Sequence, residues 1–129
     1  MASDTLHEDP DKLGPEVIDR HRAIVSIMEE LEAVDWYDQR AKATSNAELR
    51  SILEHNRDEE KEHAAMTLEW LRRNDPKMDE HLRTFLFKEG PVTQIEATMM
   101  GKEGGEEAEG AEASDGSLGI GSLRKVSKK

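Results

Sequence analysis

In the stretch LRSILEHNRDEEKEHAAMTLEWL, Leu49–Leu71, apolar and polar residues share one helical stripe. Leu49, Ile52, Leu53, Asn56, Glu60, His63, Thr67, Trp70 and Leu71 recur at three- and four-residue spacing, which is the period of an α-helix. The centre of the stripe is polar, whereas a core-facing stripe ordinarily stays apolar throughout. Ser45 with Glu48 fits a capping box, so the helix is expected to start there, and Asn74-Asp75-Pro76 stops it.

Upstream, the fixed φ of Pro15 suits a first helical turn, and the helix it opens should run to about Ala41 or Lys42. Val17, Ile24, Met28 and Leu31 form its stripe, flanked by Ile18, Val25, Ile27 and Val34. A break follows at Ala43-Thr44-Ser45-Asn46. Downstream, a third and shorter helix is expected from Pro76 to about Lys88, with a few more turns through Ile95 to Met100. No glycine lies between Gly14 and Gly90, so turn chemistry is scarce and the chain reads as all-α. Each long helix spans about 27 residues, or roughly 40 Å. The short loop makes them an antiparallel hairpin. Stripes this wide cannot be covered by one partner, so two hairpins should pair about a two-fold axis into four helices.

Composition narrows the function classes. The 129 residues suffice for one small domain. A net charge of -11, from 18 basic and 29 acidic residues, argues against a nucleic-acid partner. Cysteine is absent, which removes disulfides, thiolate zinc sites and iron–sulfur clusters and leaves carboxylate and imidazole as metal ligands. The N-terminus has no apolar signal region, and no run approaches the roughly 20 residues of a membrane span, so a soluble, cytoplasmic protein is expected. Residues 1–14 read as a disordered N-terminus and residues 15–100 as the hairpin domain. Residues 101–116, with five glycines and six acids, read as a flexible acidic linker. Residues 117–129 reverse character, with four basic residues and no acid; on the residues alone they read as a disordered basic tail or, since Leu118 and Ile120 alternate, as an extended peptide that fills pockets of a partner.

Within the polar centre, Glu60 and His63 form a Glu-x-x-His pair on one helical face. Alone the motif carries little weight, because a glutamate-rich helix produces it by chance. Glu30 changes this, since it projects from the apolar side of the first helix and lies as far from the loop as Glu60 does. The three side chains can converge. Ferritin-like di-iron sites use a Glu from each of two helices and a Glu-x-x-His from each of the other two. One chain supplies half of that, and a two-fold dimer would supply the rest. Carboxylate with imidazole suits iron(II). A neighbouring register, His55, Glu59 and Glu62, reads as a solvated charged face. Glu29 and Glu32, with Asp35 and Glu54 as neighbours, offer a second, more exposed site for calcium or another divalent ion. Trp36 and Tyr37 read as packing residues, with Tyr37 able to hydrogen-bond a ligand carboxylate. Met66, Met99 and Met100 read as filler.

The stretches Asp19–Ser26, Met28–Tyr37 and His55–Met66 closely resemble the encapsulated ferritin family, and the likeness continues to about Ala97. Asp115–Arg124 resembles the peptide that loads such cargo into an encapsulin nanocompartment. The resemblance implies a ferritin-like four-helix bundle and a ferroxidase that oxidises iron(II) with dioxygen and passes iron(III) on for storage as mineral. It implies Glu30, Glu60 and His63 from both chains as catalytic di-iron ligands, with Glu60 bridging and Trp36 and Tyr37 close by. Glu29 and Glu32 would draw iron in. It also implies homodimers assembled into an open ring, typically a decamer, housed in the shell through Ser117, Leu118, Gly119, Ile120, Gly121, Ser122, Leu123 and Arg124. A competing reading is a non-catalytic helical assembly protein in which the same cluster binds a structural divalent ion.

Overall fold

The computed structural model describes the backbone of residues 5–109 and the side chains of residues 5–101. Four helices follow in order, α1 (Pro10–Ala43), α2 (Ala47–Arg73), α3 (Pro76–Phe85) and α4 (Val92–Glu109), with no strand among the described residues. The fold is all-α. The hairpin of α1 and α2 lies in one compact unit ending at Pro76, and a second unit begins at Lys77.

Gly14 divides α1. Its φ of 82° and ψ of 160° break the helix, a conformation that costs glycine little, and the long helix restarts at Pro15 as the sequence implies. The expected disorder of residues 1–14 does not hold for the turn before this break. Pro10–Leu13 are already helical, because the Asp9 carboxylate accepts the Asp11 amide at 3.0 Å and Pro10 presets the first φ. At the other end Thr44 turns to extended backbone while its N–H still donates to the Arg40 carbonyl at 3.1 Å.

The N-cap of α2 is Asn46 and not the expected Ser45. The Asn46 side-chain oxygen accepts the Leu49 amide at 2.9 Å, and the Thr44 hydroxyl oxygen accepts the Asn46 amide at 3.1 Å. Asparagine caps as well as serine does, and the Thr44 bond fixes the chain so that residue 46 takes the position. Arg50 then reaches back across the loop, donating from Nε to the Ala41 carbonyl at 3.1 Å and from Nη2 to the Thr44 carbonyl. This fork satisfies carbonyls that the end of α1 leaves without helical partners.

The two helices meet along a seam of alternating three- and four-residue spacing, the geometry of a coiled coil. On α1 it comprises Ala23, Ile27, Glu30, Val34, Tyr37 and Ala41, and on α2 Arg50, Leu53, Arg57, Glu60, Ala64, Thr67 and Leu71, all buried or half-buried. The fully buried apolar residues are Ala23, Ala41, Ala64 and Leu71. Three of these four are alanines, which let the backbones approach closely.

The most apolar part of the stripe expected on α1 is not on this seam. Val17, Ile24 and Leu31 are 39%, 45% and 54% exposed, one position past the seam residues. On α2, Leu49, Ile52, Met66 and Trp70 are exposed as well, one position before the seam residues, so Met66 is not core filler. In an antiparallel pair, opposite offsets turn these two sets to opposite faces of the hairpin. One hairpin therefore leaves two apolar faces open, because a single seam covers only part of each stripe.

In the second unit, α3 ends at Phe85 and α4 runs from Val92 through Glu109. Residues 101–109 of the expected linker are thus helical. Adding residues to a formed helix costs far less than starting one, and Lys102, Glu103, Glu106, Glu107 and Ala108 are all good helix formers. The rest of that linker, and the expected docking peptide of residues 117–129, lie outside the described residues. No helix among the described residues is long and apolar enough to cross a membrane.

The cap assignment has a direct check. Asn46→Ala should destabilise the hairpin by about 1 kcal/mol, whereas Ser45→Ala should change the urea midpoint little. Equal losses would return the cap to Ser45.

A candidate metal centre on the hairpin seam

Glu30 and Glu60 occupy facing seam positions because the loop lies midway between them. His63, one turn beyond Glu60, sits at the seam's edge. Its Nδ1 lies 3.3 Å from Glu60 Oε1 and 3.6 Å from Glu30 Oε1. Side-chain exposures of 27% for Glu30, 25% for Glu60 and 43% for His63 place the carboxylates inward and the imidazole at the opening. One ligand atom from each of the three lies within 4.8 Å of the others, the only such grouping of His, Asp or Glu among the described residues.

Two carboxylates in contact cannot both carry full charge cheaply. Glu30 is raised above the ordinary carboxyl range, first by its hydrogen bond with Glu60, then by burial and by the Glu60 charge. Glu60 is lowered, first by the same hydrogen bond and then by His63. The two carboxyl groups therefore titrate apart, Glu30 the less acidic and Glu60 the more acidic. His63 is raised above its ordinary value, first by its hydrogen bond with Glu60 and then by the charges of Glu30, Glu60 and Glu59.

A divalent cation fits this donor set. Two carboxylates and an imidazole converge within 4.8 Å of one another, and a cation between them would offset the repulsion of the carboxylate pair. Oxygen and nitrogen donors without sulfur suit iron(II), manganese(II) or zinc(II).

The other expected site residues fall around this cluster. Glu29 is exposed and Glu32 half-buried, and neither joins a three-ligand grouping within one chain. Asp35 accepts a hydrogen bond from Gln39 at 3.1 Å. Trp36 and Tyr37 flank Arg40, whose guanidinium carbon lies 5.7 Å and 5.8 Å from their ring centroids. Tyr37 lies on the same stripe as Glu30, about 10 Å further along α1. His55 pairs loosely with Glu59 at 3.7 Å on the exposed side, in keeping with a solvated face. Glu59 also approaches His63 Nε2 at 3.9 Å, a contact the sequence analysis missed. The i, i+4 spacing of Glu59 and His63 was the signal for it.

His63 also belongs to the open side of α2. It is seven residues from Asn56 and from Trp70, on the stripe that carries Leu49, Ile52 and Met66. Beside it, Glu62, Ala65, Met66, Glu69, Trp70 and Arg73 line an open groove of about 450 Å³. The cluster therefore borders one of the two uncovered apolar faces.

Comparisons with known proteins bear on this geometry. A family model described as EncFtn-like matches residues 5–89. The chain is 65% identical over 127 residues to a Rhodospirillum rubrum protein named encapsulated ferritin-like protein, covering 96% of this chain and 91% of that one. It is 34% identical over 107 residues to an encapsulin nanocompartment cargo protein of Myxococcus xanthus, covering 78% and 81%. The crystal structure of a Nitrosomonas europaea protein superposes with a TM-score of 0.65 at 55% identity, covering 67% of this chain and 96% of that one.

The charge state of His63 is measurable. In the metal-free protein its imidazole should titrate above its ordinary 6.5, and Glu60→Gln should bring it back down in a histidine NMR titration. Because the folded value is raised, this contribution to stability is complete below the unfolded value and fades as pH rises through the folded one. The urea midpoint should fall across that window in the wild type and fall less in Glu60→Gln. Identical profiles would mean that the contact with Glu60 is not formed.

Proposed function

Because the chain belongs to the EncFtn-like family, we propose that it is a ferroxidase, oxidising iron(II) with dioxygen at a di-iron site shared between two copies. Each copy contributes Glu30, Glu60 and His63. The product iron(III) is delivered for mineral storage inside an encapsulin nanocompartment, to which residues 117–129 dock the protein. The observation that carries this reading is the position of the triad, at the edge of an uncovered apolar face. A second hairpin laid on that face brings a second triad to the first and buries Leu49, Ile52, Met66 and Trp70 together. The opposite open face, with Val17, Ile24 and Leu31, supports further contacts between dimers, as a ring such as a decamer requires.

The chain's own residues perform the binding and proton steps. Glu60, the more acidic carboxylate, would be the ligand shared between the two halves, as the family resemblance implies, with Glu30 and His63 holding iron beside it. Glu30 and His63, both shifted toward their protonated forms, would hold a cation as carboxylate and neutral imidazole, so protons compete with the metal at both. Proton release on binding makes iron capture weaker in acid. Iron(II), the substrate, supplies the electrons that reduce dioxygen. Glu29 and Glu32, on the solvent side of the same helix, form the negative approach that draws iron in and offer a second site for calcium or another divalent ion. Trp36 and Tyr37 close the loop side of the seam. The names of the Rhodospirillum and Myxococcus relatives, one encapsulated and one encapsulin cargo, support the nanocompartment role.

Glu60→Ala should reduce oxygen consumption on iron(II) addition to the rate of buffer alone and should weaken the dimer. Unchanged kinetics would sink the site assignment. A wild type that binds iron but oxidises it no faster than buffer would instead leave a structural ion. Deleting residues 117–129 should preserve oxidation and abolish co-purification with a shell protein; continued loading would refute the docking role.

A further inference from the structure

Arg57 is a charged residue on a seam position, with its side chain only 22% exposed. Its Nη1 donates to Asp38 Oδ1 on α1 at 3.0 Å and its Nε donates to Asp58 Oδ1 on its own helix at 3.0 Å. Lys61 approaches the same Asp58 oxygen at 3.6 Å, so the carboxylate that steers the guanidinium is itself held. Three residues beyond Arg57, about 4.5 Å along α2, is Glu60.

We propose that Arg57 is a positioning residue for the metal ligands: its tie to Asp38 sets the height at which Glu60 and His63 meet Glu30. The proposal rests on the metal reading of the triad. Its physical basis is the weakness of the seam as a ruler. Apolar burial is non-directional, and three of the four fully buried residues are alanines, which slide past one another with little loss. A slip of one residue is about 1.5 Å, enough to spoil a three-ligand site that must be held to about 0.5 Å. The Asp58 bond fixes the guanidinium on α2, and the directional charge-assisted bond it then makes to Asp38 resists such a slip.

Its contribution to overall stability is small, because Asp38 is 65% exposed and solvent screens the pair. An arginine at this place would otherwise be poor design. Its positive charge repels the cation that the triad binds. Positioning and simple charge therefore give opposite signs for the same substitution.

The test is an anaerobic cobalt(II) titration of the full-length protein, read by ligand-field absorption, with thermal unfolding of each variant alongside. Arg57→Met should bind cobalt about tenfold more weakly, the cost typical of losing a group that orients a ligand, with little change in unfolding temperature. Asp38→Ala, an exposed change that leaves the fold intact, should lose as much, while Asp38→Asn keeps the acceptor oxygen and should bind nearly as wild type. Equal or tighter binding by Arg57→Met, or equal loss in Asp38→Asn and Asp38→Ala, would overturn the proposal. Glu60→Gln separates the two readings: if it binds cobalt as tightly as wild type, the metal assignment of the triad fails and this inference falls with it. If Glu60→Gln loses binding and Arg57→Met does not, only the positioning role fails.

Discussion

The contact between Glu30 and Glu60 is the constraint around which the hairpin is organised. Two carboxylates facing each other on a helical seam repel, which makes Glu30 the less acidic of the two, and the His63 imidazole lies against both. Apolar side chains at both positions would pack better and stabilise more. The features that hold the helices in register are polar for the same reason. The Arg50 fork closes the loop, the Asn46 cap starts α2 at a fixed residue, and Arg57 ties α2 to Asp38. Each is directional, as a site of converging side chains requires and an apolar seam does not supply.

The second consequence concerns the surface. A seam built from alanines and carboxylates buries little apolar area, so the larger residues are displaced to either side of it. Val17, Ile24 and Leu31 on one face, and Leu49, Ile52, Met66 and Trp70 on the other, are 39–61% exposed, in rows of the kind that mark association surfaces. The metal cluster borders the second of these faces. The candidate site and the open face are thus continuous: His63 and the exposed Met66 and Trp70 lie on successive turns of α2.

Much of this was legible in the residues. The glycine-free window from Pro15 to Glu89 gave the helices, and the loop at residues 43–46 gave the hairpin. Equal distances from that loop brought Glu30 to about the height of Glu60 and His63, since the turn of an antiparallel pair sets which stretches of the two helices lie side by side. The hairpin seam itself was harder to read. The stripe of Val17, Ile24 and Leu31 dominates by hydrophobicity, yet the helices pack along Ala23, Ile27 and Ala41, because close approach favours small residues over large ones. The cap at Asn46 and the helix through residues 101–109 were missed for a related reason: local patterns name several competent residues, and the surrounding hydrogen bonds or an already formed helix choose among them.

The sequence alone therefore determined the helical class, the hairpin and the three side chains that converge on its seam, because helical period and loop position are one-dimensional quantities. Only the tertiary structure decided which edge of each stripe is covered, which of the two carboxylates is the less acidic, that Glu59 stands beside His63 and that Arg57 reaches Asp38. Those depend on the rotation of each helix about its axis and on distances between side chains far apart in the chain, and spacing along one strand of sequence does not fix either.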